Sequence, residues 1–167
     1  MVDPGETELG KLAHHIRAEV DRIEEVVRHL EQSLERLREA PSLNEIHGAA
    51  AFVENFYALI EKLLARIARS FEGPPAGQSW HRDLLTQMSE ERGERPPVIS
   101  RDQAASLEEY LGFRHVRRNL YLFELDAVRV AGLIEHMRGV WEPIRAQLLE
   151  FAAVADGMAN ALRDDLG

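Results

Sequence analysis

The chain has 167 residues, the size of one ordinary domain, and 45% of them are hydrophobic, which is enough to bury a core without cross-links. It contains no cysteine, so a disulfide framework and a thiolate metal site are both excluded. The net charge of −9 argues against a protein that coats nucleic acid nonspecifically, but it is compatible with a small basic site.

The N-terminal segment, residues 1–12, is polar and acidic and lacks the apolar stretch of a signal peptide. No part of the chain approaches the roughly 18 uninterrupted apolar residues of a membrane span. We therefore expect a cytoplasmic protein with no membrane association.

Two long helices are predicted in the first half of the chain. Residues 3–6 (Asp-Pro-Gly-Glu) favour a helix start, and apolar residues then recur every three or four positions as far as Leu37. Residues 40–41 (Ala-Pro) should end this helix. Ser42–Glu45 is a capping-box pattern that begins a second helix at once, with an apolar stripe ending near Ile67. Because the connection is short, the two helices should lie antiparallel.

Shorter helices are predicted in the second half, separated by loops near residues 72–79 and 90–98. The first begins at Ser79, and Ser100–Gln103 is a further capping-box pattern. Asp126 is suited to cap the next helix, which Gly139–Pro143 should interrupt or kink before a last helix. With no alternating strand pattern, the sequence predicts an all-α, up-and-down helical bundle. We expect one domain over residues 1–167, with two long antiparallel helices and about three shorter ones.

The segment of residues 112–126 combines apolar, basic and aromatic side chains. If it is helical throughout, one face should enter the core; it comprises Phe113, Val116, Leu120 and Phe123. Two neighbouring stripes then carry polar groups: Arg114, Arg118 and Tyr121 on one, His115 and Asn119 on the other.

These polar groups suit chemistry on a phosphodiester. An arginine binds phosphate through a planar fork, and a histidine exchanges protons near neutral pH. Together they could activate a ribose 2′-hydroxyl and stabilise the phosphorane without a metal. The alternative is that Arg114, His115 and Asn119 simply solvate a helix face, and residue types alone favour that interpretation.

The segment resembles the signature of the HEPN superfamily, in particular the HepT-like toxins of HepT–MntA toxin–antitoxin pairs. That signature is an arginine, a polar residue, three further residues, a histidine, one residue and a tyrosine. Gly112–Arg114 matches its opening, His115 takes the polar position, Tyr121 takes the tyrosine position, and Asp126 follows. Asn119 stands where the family has its catalytic histidine, so the two residue types look exchanged.

The resemblance implies a helical bundle that cleaves RNA without a metal or other cofactor, at a composite site in a homodimer. It places Arg114, His115, Asn119 and Tyr121 at catalytic positions. Arg117 and Arg118 would bind the substrate. The resemblance also implies an antitoxin partner of the MNT nucleotidyltransferase family, for which Tyr121 would be the site of adenylylation.

Two classes of function remain open. In the first, the protein is an endoribonuclease in which Arg114 holds phosphate and His115 moves protons. In the second, Asn119 has removed the catalytic base, and the bundle is an inactive HEPN-like binding or regulatory module that partners a nucleotidyltransferase.

A homodimer would supply a second imidazole, since one histidine on one helix makes a poor acid–base catalyst. We expect its interface at the face of Arg114, His115 and Arg118. Carboxylates should offset the repulsion there; the candidates are Glu108, Glu109, Glu124, Asp126 and the Glu90–Glu94 loop. The Trp80–Asp83 segment could line a site, but we expect Trp80 to pack and its polar neighbours to cap or solvate a short helix.

Overall fold

The computed structural model describes residues 7–121 and 124–164. Within these ranges the chain forms five α-helices and no β-strand: α1 (Glu8–Glu39), α2 (Leu43–Phe71), α3 (Trp80–Met88), α4 (Arg101–Arg118) and α5 (Ala127–Asp164). The predicted all-α class is confirmed. None of the helices formed by the described residues is both long and apolar enough to cross a lipid bilayer.

The starts of α1 and α2 follow local capping rules. The hydroxyl of Thr7 accepts from the backbone N–H of Gly10 at 3.2 Å and so caps α1, whereas the predicted start at residues 3–6 lies outside the described residues. At α2 the predicted capping box is complete. The N–H of Glu45 donates to Ser42 Oγ at 3.3 Å, and the Glu45 carboxylate accepts from the Ser42 N–H at 2.8 Å.

The capping box predicted at α4 is only half formed. Ser100 Oγ accepts from the N–H of Gln103 at 3.3 Å, as expected for an N-cap. The N–H of Ser100, however, donates to the side-chain oxygen of Gln147 in α5 at 2.8 Å. A contact between helices has therefore taken the place of the local one and ties the start of α4 to α5.

The predicted interruption at Gly139–Pro143 does not occur, because α5 runs unbroken through Pro143 and is the longest helix described. A proline inside a helix removes one backbone hydrogen bond. Burial compensates for this loss on both sides of Pro143, since Trp141 and Ile144 are fully buried. The indole N–H of Trp141 also donates to Glu24 of α1 at 2.8 Å. The bundle thus has three long helices, α1, α2 and α5, rather than two.

Helix α1 packs most extensively along α5 and also against α2. Its predicted apolar stripe is buried: Leu12, Ile16, Val20, Ile23, Val27, Leu30 and Leu37. Phe56 of α2 lies at the centre of the core, with its ring 5.2 Å from that of Tyr110 in α4. Tyr110 in turn donates its hydroxyl to the backbone carbonyl of Leu133 in α5 at 2.9 Å, which fixes α4 against two long helices.

The expectation of one helix over residues 112–126 is wrong, because α4 ends at Arg118. The N–H of Asn119 donates to the carbonyl of Val116 at 3.0 Å, a tightened last turn, and its side-chain amide donates to the carbonyl of His115 at 3.0 Å. Phe113 is buried as predicted, but Val116 is exposed and Phe123 lies outside the described residues.

Candidate functional site

Helix α3 is held in place by a buried arginine in the loop that follows it. Arg95 is fully buried, and its guanidinium donates to the Glu72 carboxylate at the end of α2, with the shortest contact 2.6 Å. It also donates to the backbone carbonyl of Gln87 in α3 at 3.0 Å. Burial raises the pKa of Glu72, but hydrogen bonds from Arg95 and Gln87 outweigh it and leave that pKa below its ordinary value. This cluster fixes α3 relative to α2.

Glu61 of α2 connects α3 to α4. One oxygen of its buried carboxylate, Oε2, lies 2.6 Å from Nδ1 of His81 in α3, and the other, Oε1, accepts from Nη1 of Arg114 in α4 at 3.1 Å. Because a carboxylate accepts, Nδ1 of His81 carries the proton, and Nε2 is the remaining ring nitrogen. A single buried carboxylate therefore orients one of the predicted site residues and a histidine that the motif does not include.

Tyr57 lies one turn before Glu61 on α2. Its hydroxyl is buried and has no hydrogen bond of good geometry to the described residues. Burial raises the pKa of Tyr57 far above its ordinary value, and the neighbouring Glu61 carboxylate adds to this effect. Tyr57 is therefore a neutral, buried group next to Glu61.

His115 stands opposite His81 across an open groove. The two rings are 6.0 Å apart between centres and nearly perpendicular, at 82°. The groove has a volume of about 210 Å³, and we call it the His81–His115 groove; it is lined by Gln78, Ser79, His81, Arg82, Leu111 and His115. Trp80 stacks on His81 at 3.8 Å between ring centres, which restrains that imidazole on one face. His115 is exposed, so the groove offers one fixed imidazole and one accessible imidazole.

A second groove lies at the end of α4. It has a volume of about 290 Å³, and we call it the Tyr121 groove; it is lined by His47, Glu54, Arg117, Arg118, Leu120, Tyr121 and Leu125. Arg117 forms an ion pair with Glu54 of α2. Tyr121 follows the helix end with its side chain 80% exposed, and its backbone N–H donates to the Glu124 carboxylate at 3.0 Å.

Three further residues of the motif segment lie at or after the end of α4: Arg118, which lines the Tyr121 groove, Asn119 and Asp126. Arg118 is exposed and forms no ion pair with any residue in the described ranges. Asn119 is exposed, and its amide closes the last turn of α4. Asp126 accepts from the backbone N–H of Val128 at 2.9 Å and so caps α5, as the sequence predicted.

The carboxylates that contact the motif arginines come from α2, and none of them was among the predicted candidates. Glu54 and Glu61 lie seven positions apart and therefore on one helix face. Arg117 meets Glu54 and Arg114 meets Glu61, which is the order expected for antiparallel helices. A signal was present in the sequence, since Glu61 falls in the same row as the buried Tyr57 and Leu64. His81 belongs to the Trp80–Asp83 segment, whose mixed chemistry indicated that it could line a site, and both His81 and Arg82 line the His81–His115 groove.

Comparison with known proteins gives one family. A family model described as HepT-like protein matches residues 48–155, which include α3, α4 and most of α2 and α5. No curated protein matches the chain, and no solved structure does.

Proposed function

The chain belongs to the HepT-like protein family, a branch of the HEPN superfamily, and on that basis we propose that it is a HEPN-type endoribonuclease toxin. In this proposal the protein cleaves RNA without a metal ion. Arg114 binds the scissile phosphate, and His115 transfers a proton.

The observation that carries the proposal is the position of Arg114 and His115 on the last turns of α4. The His115 ring lines an open groove, and Arg114 shares the Glu61 carboxylate with the histidine on the opposite side of that groove. Glu61 occupies one N–H group of a guanidinium that has several, so donors remain for phosphate. The proposed phosphate-binding group, Arg114, and the proposed proton-transfer group, His115, are therefore adjacent. Cleavage of a phosphodiester requires two such groups close together.

Two exposed arginines extend the basic surface on either side of His115. Arg82 lines the His81–His115 groove, and Arg118 lies one turn beyond His115 on α4. Neither forms an ion pair with the residues that the structure describes. We propose that Arg118, together with Arg117, binds backbone phosphates next to the cleaved linkage, which local positive charge permits despite the net charge of −9.

We further propose that the protein is a homodimer whose two α4 ends face each other. This arrangement would gather arginines from both chains around one RNA backbone, and such an interface repeats the same surface on each partner. A nucleotidyltransferase antitoxin of the MNT family is the proposed heterologous partner. Its target would be the Tyr121 hydroxyl, which is accessible because the side chain is 80% exposed.

A second candidate function is an inactive HEPN-like module that regulates a nucleotidyltransferase. The observation that favours it is Asn119, which occupies the family's histidine position and uses its amide to close α4. In that case the Tyr121 groove would be the functional surface, and the His81–His115 groove would have no catalytic role.

Cleavage of a random-sequence RNA pool by the purified protein in EDTA tests the proposal. We expect wild type to cleave, and Arg114→Ala and His115→Ala each to lose roughly 10²- to 10⁴-fold in rate. Arg101→Ala and His136→Ala are the matched controls, because both residues are exposed and lie outside the two grooves. They should cleave as wild type does.

Absence of cleavage by the wild-type protein would favour the inactive module. Equal activity of all four variants would indicate a contaminating nuclease and would also contradict the proposal. Light scattering of wild type at micromolar concentration tests the dimer, and a stable monomer that still cleaves RNA would refute the composite site alone.

A further inference from the structure

The His81–His115 groove contains two imidazoles from one chain, although the family motif accounts for only one of them. Cleavage of RNA through its 2′-hydroxyl needs a base for the attacking oxygen and an acid for the leaving oxygen. The attacking and leaving oxygens lie on opposite sides of the phosphorus. Each histidine nitrogen must come within about 3 Å of its oxygen. Two rings whose centres are 6.0 Å apart and that line one open groove are close enough for both to reach a single phosphate group held there.

We propose that His81 is the general base and His115 the general acid of a catalytic pair formed within one chain. This pair rests on the proposed ribonuclease function, but its second imidazole comes from the same chain and not from a partner in a dimer. Dimerisation would then gather arginines rather than complete the acid–base pair.

The contact between His81 and Glu61 determines which histidine has which role. A carboxylate on Nδ1 fixes the imidazole tautomer with Nε2 unprotonated, and it stabilises the imidazolium that forms when Nε2 accepts a proton. His81 has such a partner at 2.6 Å. His115 has no carboxylate partner among the described residues and is exposed to solvent, from which it can be reprotonated.

The proposed reaction is an internal transesterification. Nε2 of His81 takes the proton of the ribose 2′-hydroxyl as that oxygen forms a bond to phosphorus. The bond from phosphorus to the 5′-oxygen breaks, and His115 gives its proton to that oxygen. The products are a 2′,3′-cyclic phosphate and a 5′-hydroxyl. His81 and His115 then return to their starting protonation states by exchange with water.

Glu61 is a positioning residue for this catalytic pair. It connects His81, the proposed base, to Arg114, the proposed phosphate-binding group. Its second oxygen holds Arg114 at 3.1 Å, so the guanidinium and the His81 imidazole are fixed relative to each other. Trp80 blocks one face of the His81 ring and limits its rotation. These contacts place His81 before RNA binds, which reduces the entropy cost of reaching the reactive geometry.

A leaving-group experiment distinguishes the base from the acid. The cleavage site is first mapped with wild type on a random RNA pool, and an oligonucleotide is made with sulfur in place of the 5′-oxygen at that linkage. A thiolate is a much weaker base than an alkoxide and leaves without protonation. We expect His115→Ala to be impaired roughly 10²-fold or more on the oxygen-linked RNA and to come within about tenfold of wild type on the sulfur-linked RNA.

His81→Ala should be strongly impaired on both RNAs, because neither substrate removes the need for a base. His81→Gln, which retains a group able to donate to Glu61, should be equally impaired, and its unfolding transition should match that of wild type. His136→Ala is again the matched histidine control.

The outcomes separate this inference from the proposed function. If wild type cleaves and His115→Ala does not, but both His81 variants cleave as wild type does, the intrachain pair is refuted and the ribonuclease stands. Recovery of His81→Ala instead of His115→Ala on the sulfur-linked RNA would overturn the assigned roles. If wild type cleaves no RNA, the proposed function fails first.

Discussion

Arg114 and Glu61 form an ion pair between helices, with Nη1 of the arginine 3.1 Å from Oε1 of the carboxylate across 53 residues of sequence. Both side chains are largely buried, and the other carboxylate oxygen contacts His81. Removal of one partner from such a pair costs far more than an exposed pair contributes, because it leaves a charge poorly solvated. The motif arginine is thus fixed in position before any substrate is present.

The first prediction concerns this carboxylate. Glu61→Gln keeps the size of the side chain but removes the charge that holds Arg114 and His81. We expect RNA cleavage to fall roughly 10²-fold or more on both the oxygen-linked and the sulfur-linked RNA, as for loss of the base. Glu24→Gln, which alters a partly buried ion pair with Arg138 outside both grooves, is the matched control and should retain most of the activity. Recovery of Glu61→Gln on the sulfur-linked RNA would contradict the positioning role.

The second prediction concerns the accessibility of the three tyrosines. Burial raises the pKa of Tyr57 and of Tyr110, whereas Tyr121 is 80% exposed. Reagents that attack the phenolate, such as tetranitromethane, should therefore modify Tyr121 first. Peptide mass spectrometry at a low extent of nitration measures this, and Tyr121→Phe should remove the early product. Nitration of Tyr57 before Tyr121 would show that the hydroxyl proposed for adenylylation is not accessible.

The third prediction concerns the buried arginine that fixes α3. Arg95→Ala leaves the Glu72 carboxylate without its cationic partner and should lower the free energy of unfolding by about 3 kcal/mol. For a chain of this size that corresponds to a fall in melting temperature of roughly 6 to 12 °C. Arg92→Ala in the same loop is the matched control, because Arg92 pairs with Glu90 at the surface. Its effect should stay below about 1 kcal/mol. Equal melting temperatures for the two variants would refute the proposed role of Arg95.

The fourth prediction is the pH dependence of that same contact. The pKa of Glu72 in the folded protein lies below the ordinary value of 4.5, so its pairing with Arg95 contributes fully to stability above about that pH. The contribution is lost as the pH falls through the lowered pKa and the carboxylate becomes protonated. The free energy of unfolding of wild type and of Arg95→Ala can be measured by chemical unfolding at pH 7 and at successively lower pH. The difference between the two free energies should become smaller in acid. A difference in the free energy of unfolding that stays constant below pH 4.5 would contradict this linkage.

The sequence by itself determined that the chain is helical and which face of α1 is buried. The apolar stripe of α1 and the capping box of Ser42 and Glu45 depend on residues three or four positions apart, and such spacings specify a helix locally. The same local information placed Arg114 and His115 on one helix and assigned Asp126 to the start of the next. It also identified the family motif, since that motif is a contiguous segment.

Tertiary structure decided whether α5 continues and which side chains share a site. Pro143 remains helical because Trp141 and Ile144 are buried on either side of it, a compensation that no local pattern contains. The ion pair of Glu61 with Arg114 depends on the register between α2 and α4, which is set by packing around the core. His81 lies beside His115 because α3 packs against both α2 and α4, and the contacts of Arg95 with Glu72 and Gln87 contribute to that packing. Helix periodicity specifies which face of a helix is buried, but the partner of each polar group is chosen by the neighbouring helix that packs beside it.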